Sequence, residues 1–258
     1  MSLPEMLIAV VWAGLTVYAI LGGADFGAGV LHVLAPAGRR GRRRRQAITG
    51  AMGPVWEANH VWLVFFLTGL LTLFPGAFSA LGAAVLVPGT IALLGIVVRG
   101  AAFAFAGQLT GFDRARRPLQ IAFGVASAIT PLVFGATAAG LARQRLVVDG
   151  TTVRSGGGTA LWLGPFQIEV GVMAVAACTA LAAAFLTVEM RRADEVALAR
   201  AFRGGAIWAT AVTALLAAGG LALAALDAPV LFRGRSARGT GQARRAPRGR
   251  GRRRRAAP

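Results

Sequence analysis

ANHVWLVFFLTGLLTLFPGAFSALGAAVLVPGTIALLGIVV, residues 58–98, contains no Asp, Glu, Arg or Lys. A membrane helix needs about 20 mostly apolar residues to cross roughly 30 Å of hydrocarbon, so one helix over this stretch would overshoot a bilayer about twice. Pro75-Gly76 lies near its middle, and that pair stops a helix and turns the chain. The reading is two spans joined by a tight hairpin. Working outward at the same length scale gives six spans, at about 5–34, 50–74, 78–107, 118–141, 160–189 and 204–228. The expected fold is an all-α integral membrane protein.

The composition agrees. Of 258 residues, 56% are hydrophobic and 15% charged, with a mean hydropathy of +0.63; soluble domains average about 45–50% apolar and about 25% charged. An ordinary water-soluble enzyme is excluded. The net charge of +18 averages two unlike sequences: residues 1–232 carry 17 Arg against 10 acids, whereas 233–258 carry 11 Arg and no acid. Lys is absent, and the excess of Arg, Ala and Gly reads as the codon bias of a GC-rich genome. That bias lowers the weight of any single Arg. Cys178 is the one cysteine, which excludes an internal disulfide and a thiolate cluster. The first apolar stretch has no basic segment before it and is too long for a signal peptide, so it is expected to remain in the mature chain.

Arg-rich short loops stay in the cytoplasm. The 35–49 loop holds Arg39, Arg40, Arg42, Arg43, Arg44 and Arg45; the 108–117 loop holds Arg114, Arg116 and Arg117; the 190–203 loop holds Arg191, Arg192, Arg200 and Arg203. They alternate with the uncharged turn at 75–77 and with 142–159, where Asp149 partly offsets Arg143, Arg145 and Arg154. The N-terminus is therefore expected outside. The same count brings the 233–258 tail out on the outer side, against its own charge.

Charges inside spans cost about 2.5–3.5 kcal/mol each on insertion scales and face a protein interior, a cavity or a partner. Asp25, Glu57, Arg99 and Glu169 are such charges. At 1.5 Å per residue, Asp25 lies roughly 14 Å before the end of span one, Glu57 roughly 11 Å into span two and Arg99 roughly 12 Å before the end of span three. All three are expected at one depth near the cytoplasm. Two readings stand side by side: a proton or substrate route in which a buried acid exchanges protons, and an ion pair that only fixes helix register. His60, one turn beyond Glu57, reads as a haem or metal ligand or, more commonly, as a hydrogen-bonded core histidine. Glu169 is expected near the outer face, toward a quinone-like ligand or a partner subunit. Gly23 and Gly27 have the spacing that lets helices approach closely. Trp56 reads as an interfacial anchor, and the deeper Trp62 as packing against a neighbour or cofactor, with Asn59 between them.

Two strings carry more than spacing. GGADFGAGVL (22–31) and GPVWEANHVWLVFFLTGLLTLFPGAFSALG (53–82) resemble the first two spans of subunit II of the cytochrome bd-type quinol oxidases, and a weaker likeness continues to about residue 228. The resemblance implies a subunit of a terminal oxidase of the bacterial cell membrane, in which quinol reduces oxygen to water. It implies that the haems and the main quinol site belong to a partner, subunit I, against which this chain packs, and that this chain ligates neither haem nor metal. It implies a share in the proton path from the cytoplasm: Glu57, beside Trp56, matches the acid at the mouth of that path, and Asp25 and Arg99 match the family's in-span Asp and Arg. Glu57 is then the proton relay, Asp25 and Arg99 its electrostatic setting, and Asn59 and His60 its hydrogen-bonding neighbours. Family members carry eight spans in two four-helix halves. Here the last two are replaced by the Arg-rich residues 233–258, which are expected to be disordered and to be a frameshift product, a natural truncation or a basic tail.

Two other functions fit parts of the pattern. A secondary transporter of a small solute would also use several spans and an embedded acid. A protein that binds RNA or anionic lipid through its tail would use residues 233–258. Membrane lipid is the expected surrounding and nucleic acid is not an expected partner.

Overall fold

The computed structural model describes residues 2–109, 113–142, 146–149, 152–155 and 162–227. In chain order these form helices α1 (Leu3–Val33), α2 (Gly38–Met52), α3 (Trp56–Leu73), α4 (Pro75–Ala84), α5 (Leu86–Gln108) and α6 (Asp113–Ala142). A strand pair follows, β1 (Leu146–Asp149) and β2 (Thr152–Ser155), and then α7 (Pro165–Arg192) and α8 (Val196–Asp227). The expected tail, 233–258, lies outside the described residues. Among them, α1, α5, α6, α7 and α8 are each long and apolar enough to span a membrane, and α3 with α4 passes only as a pair bent by 120°. The chain is an all-α multi-pass membrane protein.

The helices start where the chemistry favours it. In α1, Ser2 and Glu5 form a capping box, the Ser2 amide donating to the Glu5 carboxylate at 2.8 Å. Pro75 and Pro165 open α4 and α7, where a missing N–H costs nothing and φ is already helical. Packing follows residue size. α1 lies against α3, α6 and α7; α5 against α6; α6 against α7; α7 against α8. Gly27 and Gly29 let α7 and α6 approach α1 closely. A Cβ on Gly27 would overlap the Cys178 carbonyl of α7, and one on Gly29 the Ser127 hydroxyl of α6.

Three segments differ from the sequence reading. The basic stretch read as a loop at 35–49 is helix α2. Its last turns bury Ile48 and Met52 against Leu186 and Met190 of α7 and Phe202 of α8, while its arginines occupy the remaining faces. Arg43 bonds Glu195 in the turn between α7 and α8, and that hydrogen bond, with the carboxylate's charge, holds the guanidinium pKa above its ordinary value. Second, the expected hairpin at Pro75-Gly76 is a break at Phe74 (φ −136°, ψ 60°) followed by the separate helix α4. Span 50–74 thereby shortens to 56–73, and span 78–107 is divided between α4 and α5. Third, the loop at 142–159 contains an antiparallel pair with Leu146 opposite Ser155 and Asp149 opposite Thr152.

The ends of the bundle sort by charge. β2 lies beside α4, so the two segments read as outer are neighbours. α2 meets the α7–α8 turn through Arg43, and it shares a cavity with the start of α6. All three Arg-rich segments therefore gather at one end.

Candidate functional site

The string GGADFGAG sits where α1 enters the centre of the bundle, and its small residues let α6 and α7 close around Asp25. Asp25 is 0% exposed and Arg99, from α5, is 3% exposed. Arg99 does not meet the Asp25 carboxylate directly. Its Nη2 donates to the Asp25 backbone carbonyl at 2.9 Å, and its Nε donates to Ser127 Oγ of α6 at 3.1 Å. The Ser127 hydroxyl in turn donates to the Phe123 carbonyl at 2.6 Å. The guanidinium carbon lies 5.2 Å from the ring centres of both Phe26 and Phe123, a distance at which aromatic faces stabilise a cation. One buried charge from α5 is thus held by a carbonyl, a hydroxyl, two rings and a nearby carboxyl from two other helices, α1 and α6.

The carboxyl is tied from the other side. Asn59 of α3 donates from Nδ2 to Asp25 Oδ2 at 2.9 Å. His60, one residue on, has Nδ1 2.8 Å from the Trp56 carbonyl, and its ring stands edge-on to Tyr18, Phe26 and Trp56 with centroids 6.0–6.2 Å apart. Among the described residues, Asp25 Oδ1, His60 Nε2 and Tyr18 Oη are buried with no hydrogen-bond partner. Three polar atoms with unused capacity thus line the seam between α1 and α3.

Glu57 is elsewhere. It shares the axial level of Asn59 but is exposed on the opposite face of α3. Residues two apart on a helix are separated by about 200°, so Glu57 and Asn59 cannot both face α1. Asp25, Asn59, His60 and Arg99 come together, and Glu57, opposite Asn59 but only about 60° around α3 from His60, is exposed outside the group. Glu169 is also apart, roughly 14 Å along α7 from Cys178, with its carboxylate against Gly220 of α8. Trp56, expected as an interfacial anchor, turns inward and joins Phe103 and Phe123 in a row of rings 5.5–5.9 Å apart. Trp62 packs edge-on to Phe65. Ser127, Phe26, Phe123 and Tyr18 complete the centre and were not singled out in the sequence. The one available signal was the position of Phe26 beside Asp25.

His60 has the surroundings of a hydrogen-bonded core histidine, with Nδ1 at the Trp56 carbonyl and three rings edge-on to the imidazole. Among the described residues no group of three or more His, Cys, Asp or Glu side chains is arranged to hold a metal ion.

A membrane bundle whose first helix carries an Asp in a glycine-rich seam, tied to an Arg and an Asn from two other helices, defines an integral membrane subunit with a buried charge centre. The chain belongs to the cytochrome bd terminal oxidase subunit II family, whose profile matches residues 3–243. It is 26% identical over 126 residues to a candidate cytochrome bd menaquinol oxidase subunit II of Bacillus subtilis (strain 168), covering 49% of this chain and 35% of that one. It is 30% identical over 104 residues to a cytochrome bd ubiquinol oxidase subunit 2 of the same organism, covering 40% and 29%. These alignments span about a third of the curated relatives' length. In three dimensions the chain resembles a chain of the bd oxidase of Geobacillus thermodenitrificans with a TM-score of 0.60 at 26% identity, over 84% of this chain and 65% of that one. Long apolar helices and bacterial relatives assign it to the bacterial cell membrane.

Proposed function

We propose that this chain is the haem-free partner of a haem-bearing subunit in a quinol-driven terminal oxidase, and that it carries protons toward the site where oxygen is reduced to water. Family membership supports the oxidase. The observation that supports the proton role is the cluster of Asp25 Oδ1, His60 Nε2 and Tyr18 Oη, buried and unpartnered among the described residues around the Arg99 charge. Such atoms are where a water or a moving proton is held.

Glu57 has the complementary position. A carboxylate on the outward face of α3 is costly against lipid and is relieved by a protein neighbour or by water. Val61, one turn on from Glu57 and about 40° around the helix from it, is exposed as well, so this side of α3 offers a membrane-embedded partner an apolar contact beside the carboxylate. In this reading Glu57 is the proton relay at the junction of the two subunits, and Asp25 with Arg99 is its electrostatic setting on the inner side of α3.

The test is proton uptake and oxygen consumption by the assembled oxidase carrying Glu57→Gln or Asp25→Asn. A relay predicts that Glu57→Gln lowers turnover per assembled complex at least about tenfold, with assembly unchanged. Unaltered turnover in an assembled complex would overturn the relay. A fall in assembly with normal turnover per complex would make Asp25 a purely structural tie.

A further inference from the structure

At the Arg-rich end of the bundle, α1 stops at Val33 and a cavity of about 600 Å³ opens between its last turn, the start of α2 and the start of α6. Its polar lining is one-sided. Arg42 and Arg45 come from α2, Arg116 and Arg117 from α6, and His32 from α1; no acidic side chain lines it among the described residues. Positive-inside topology explains why arginines lie on this side of the membrane. It does not explain why two segments separated by some 70 residues aim them into one cavity.

The electrostatics of the helix starts sharpen the point. A helix N-terminus carries about half a positive charge, and the start of α2 faces this cavity, with Arg42 and Arg45 one to two turns further along. Ala37, the residue before α2, offers no side-chain cap, and the opening of α2, Ala37-Gly38, lines the cavity. An arrangement of guanidinium groups, helix N–H groups and no carboxylate is stabilised by an anion. Two buried atoms point the same way. His32 is 5% exposed and its Nδ1 has no partner among the described residues, nor has Nε of Arg116. Arg45 is fixed in place by donating from Nη1 to the Ala35 carbonyl at 2.9 Å.

We propose that this cavity binds a phosphate group, and specifically that of an acidic phospholipid headgroup. Guanidinium groups match phosphate oxygens bidentately, and basic pockets between membrane helices on the cytoplasmic side take such headgroups. The rim favours a lipid over a soluble anion. Val33 and Ile121 line the cavity and are exposed, giving acyl chains an apolar surface to lie along. Gln46 and Gln120 on the same lining supply neutral donors for the rest of the headgroup.

The experiment uses the full chain, purified with the subunits it assembles with and stripped of lipid. Short-chain phosphatidylglycerol, phosphatidylcholine and inorganic phosphate are each titrated, and the thermal midpoint and native mass are followed. Phosphatidylglycerol should raise the midpoint and remain bound in the mass spectrum, while phosphatidylcholine should do neither. Each guanidinium is expected to contribute about fivefold in affinity, so Arg42→Gln, Arg116→Gln and Arg117→Gln together should weaken binding about a hundredfold. Arg39→Gln, Arg40→Gln and Arg114→Gln remove the same charge from residues that do not line the cavity and should leave binding within a few-fold. Equal stabilisation by phosphatidylcholine, or equal losses in the two triple variants, would overturn the site. Full stabilisation by inorganic phosphate, with nothing added by lipid, would overturn the headgroup as its occupant. If the cavity variant does not accumulate, the comparison of the three ligands on the natural chain decides alone.

Discussion

The two halves of α1 are both apolar and pack differently. From Leu3 to Leu21 only Val11, Gly14 and Tyr18 are buried; from Gly22 to His32 the buried residues are Gly22, Gly23, Asp25, Phe26, Gly27, Ala28, Gly29 and His32. The exposed half is the one rich in large side chains, with Met6, Val10, Trp12 and Ile20 facing outward. In a bilayer the hydrocarbon is as apolar as leucine, so hydrophobicity inserts a helix without packing it, and association depends on small residues and interhelical hydrogen bonds. The second half has both. Its glycines admit α6 and α7, and its Asp25 draws in Arg99 and Asn59.

The polar centre should carry the largest effect. Arg99→Ala removes the hydrogen bonds to the Asp25 carbonyl and Ser127 and the contacts with Phe26 and Phe123, and leaves Asp25 without a cation. Removing one member of such a buried set costs about 3–5 kcal/mol. The expected result is a large drop in the thermal midpoint of the detergent-solubilised chain and in its yield from the membrane. A midpoint within a degree of the natural chain would mean that the centre contributes nothing to cohesion.

One substitution placed in each half compares them directly. In Gly27→Ala the new methyl meets the backbone of Cys178 and Thr179 in α7, which cannot turn aside. In Gly14→Ala it meets the edge of the Phe65 ring in α3, which can rotate toward the exposed side. Overpacking typically costs about 1–3 kcal/mol. Gly27→Ala should fall at the upper end and Gly14→Ala below about 1 kcal/mol, read as the difference between their thermal midpoints. Equal costs would place the seam equally in both halves.

Depth was legible in the sequence and azimuth was not. Counting 1.5 Å per residue set Asp25 and Arg99 at one level, and the structure joins them through the Asp25 carbonyl. The same count set Glu57 at that level too, but a helix has sides, and the 200° between residues 57 and 59 was available to show that one of them turns away. Helix α2 escaped for a different reason. Its apolar residues, such as Ala47, Ile48, Ala51 and Met52, fall in the last turns, so no periodic face extends through the arginines. What folds it is the surface offered by Leu186, Met190 and Phe202, residues more than 130 positions away. At Phe74, Pro75-Gly76 announced a stop but carried no information that a second short helix would follow. Ser127 was hidden because a lone hydroxyl in an apolar span has no pattern, and only the neighbouring helix makes it a ligand for Arg99.

The smallest effect is expected on the outward face of the first half. Val10 and Trp12 are 55% and 59% exposed, so in the isolated chain their neighbours are lipid or detergent tails. Exchanging either for leucine trades one apolar contact with hydrocarbon for another, and surface changes of this kind stay within about 0.5 kcal/mol. Val10→Leu and Trp12→Leu should therefore leave the thermal midpoint of the solubilised chain unchanged, while Gly27→Ala lowers it. The assembled oxidase makes the measurement sharper. If the half faces lipid there as well, the midpoint of the complex is equally indifferent; a fall confined to the complex would mean that the partner packs on Val10 and Trp12. In that case the exposed half of α1 holds two proteins together, and its large side chains are to that interface what Gly27 is to the seam.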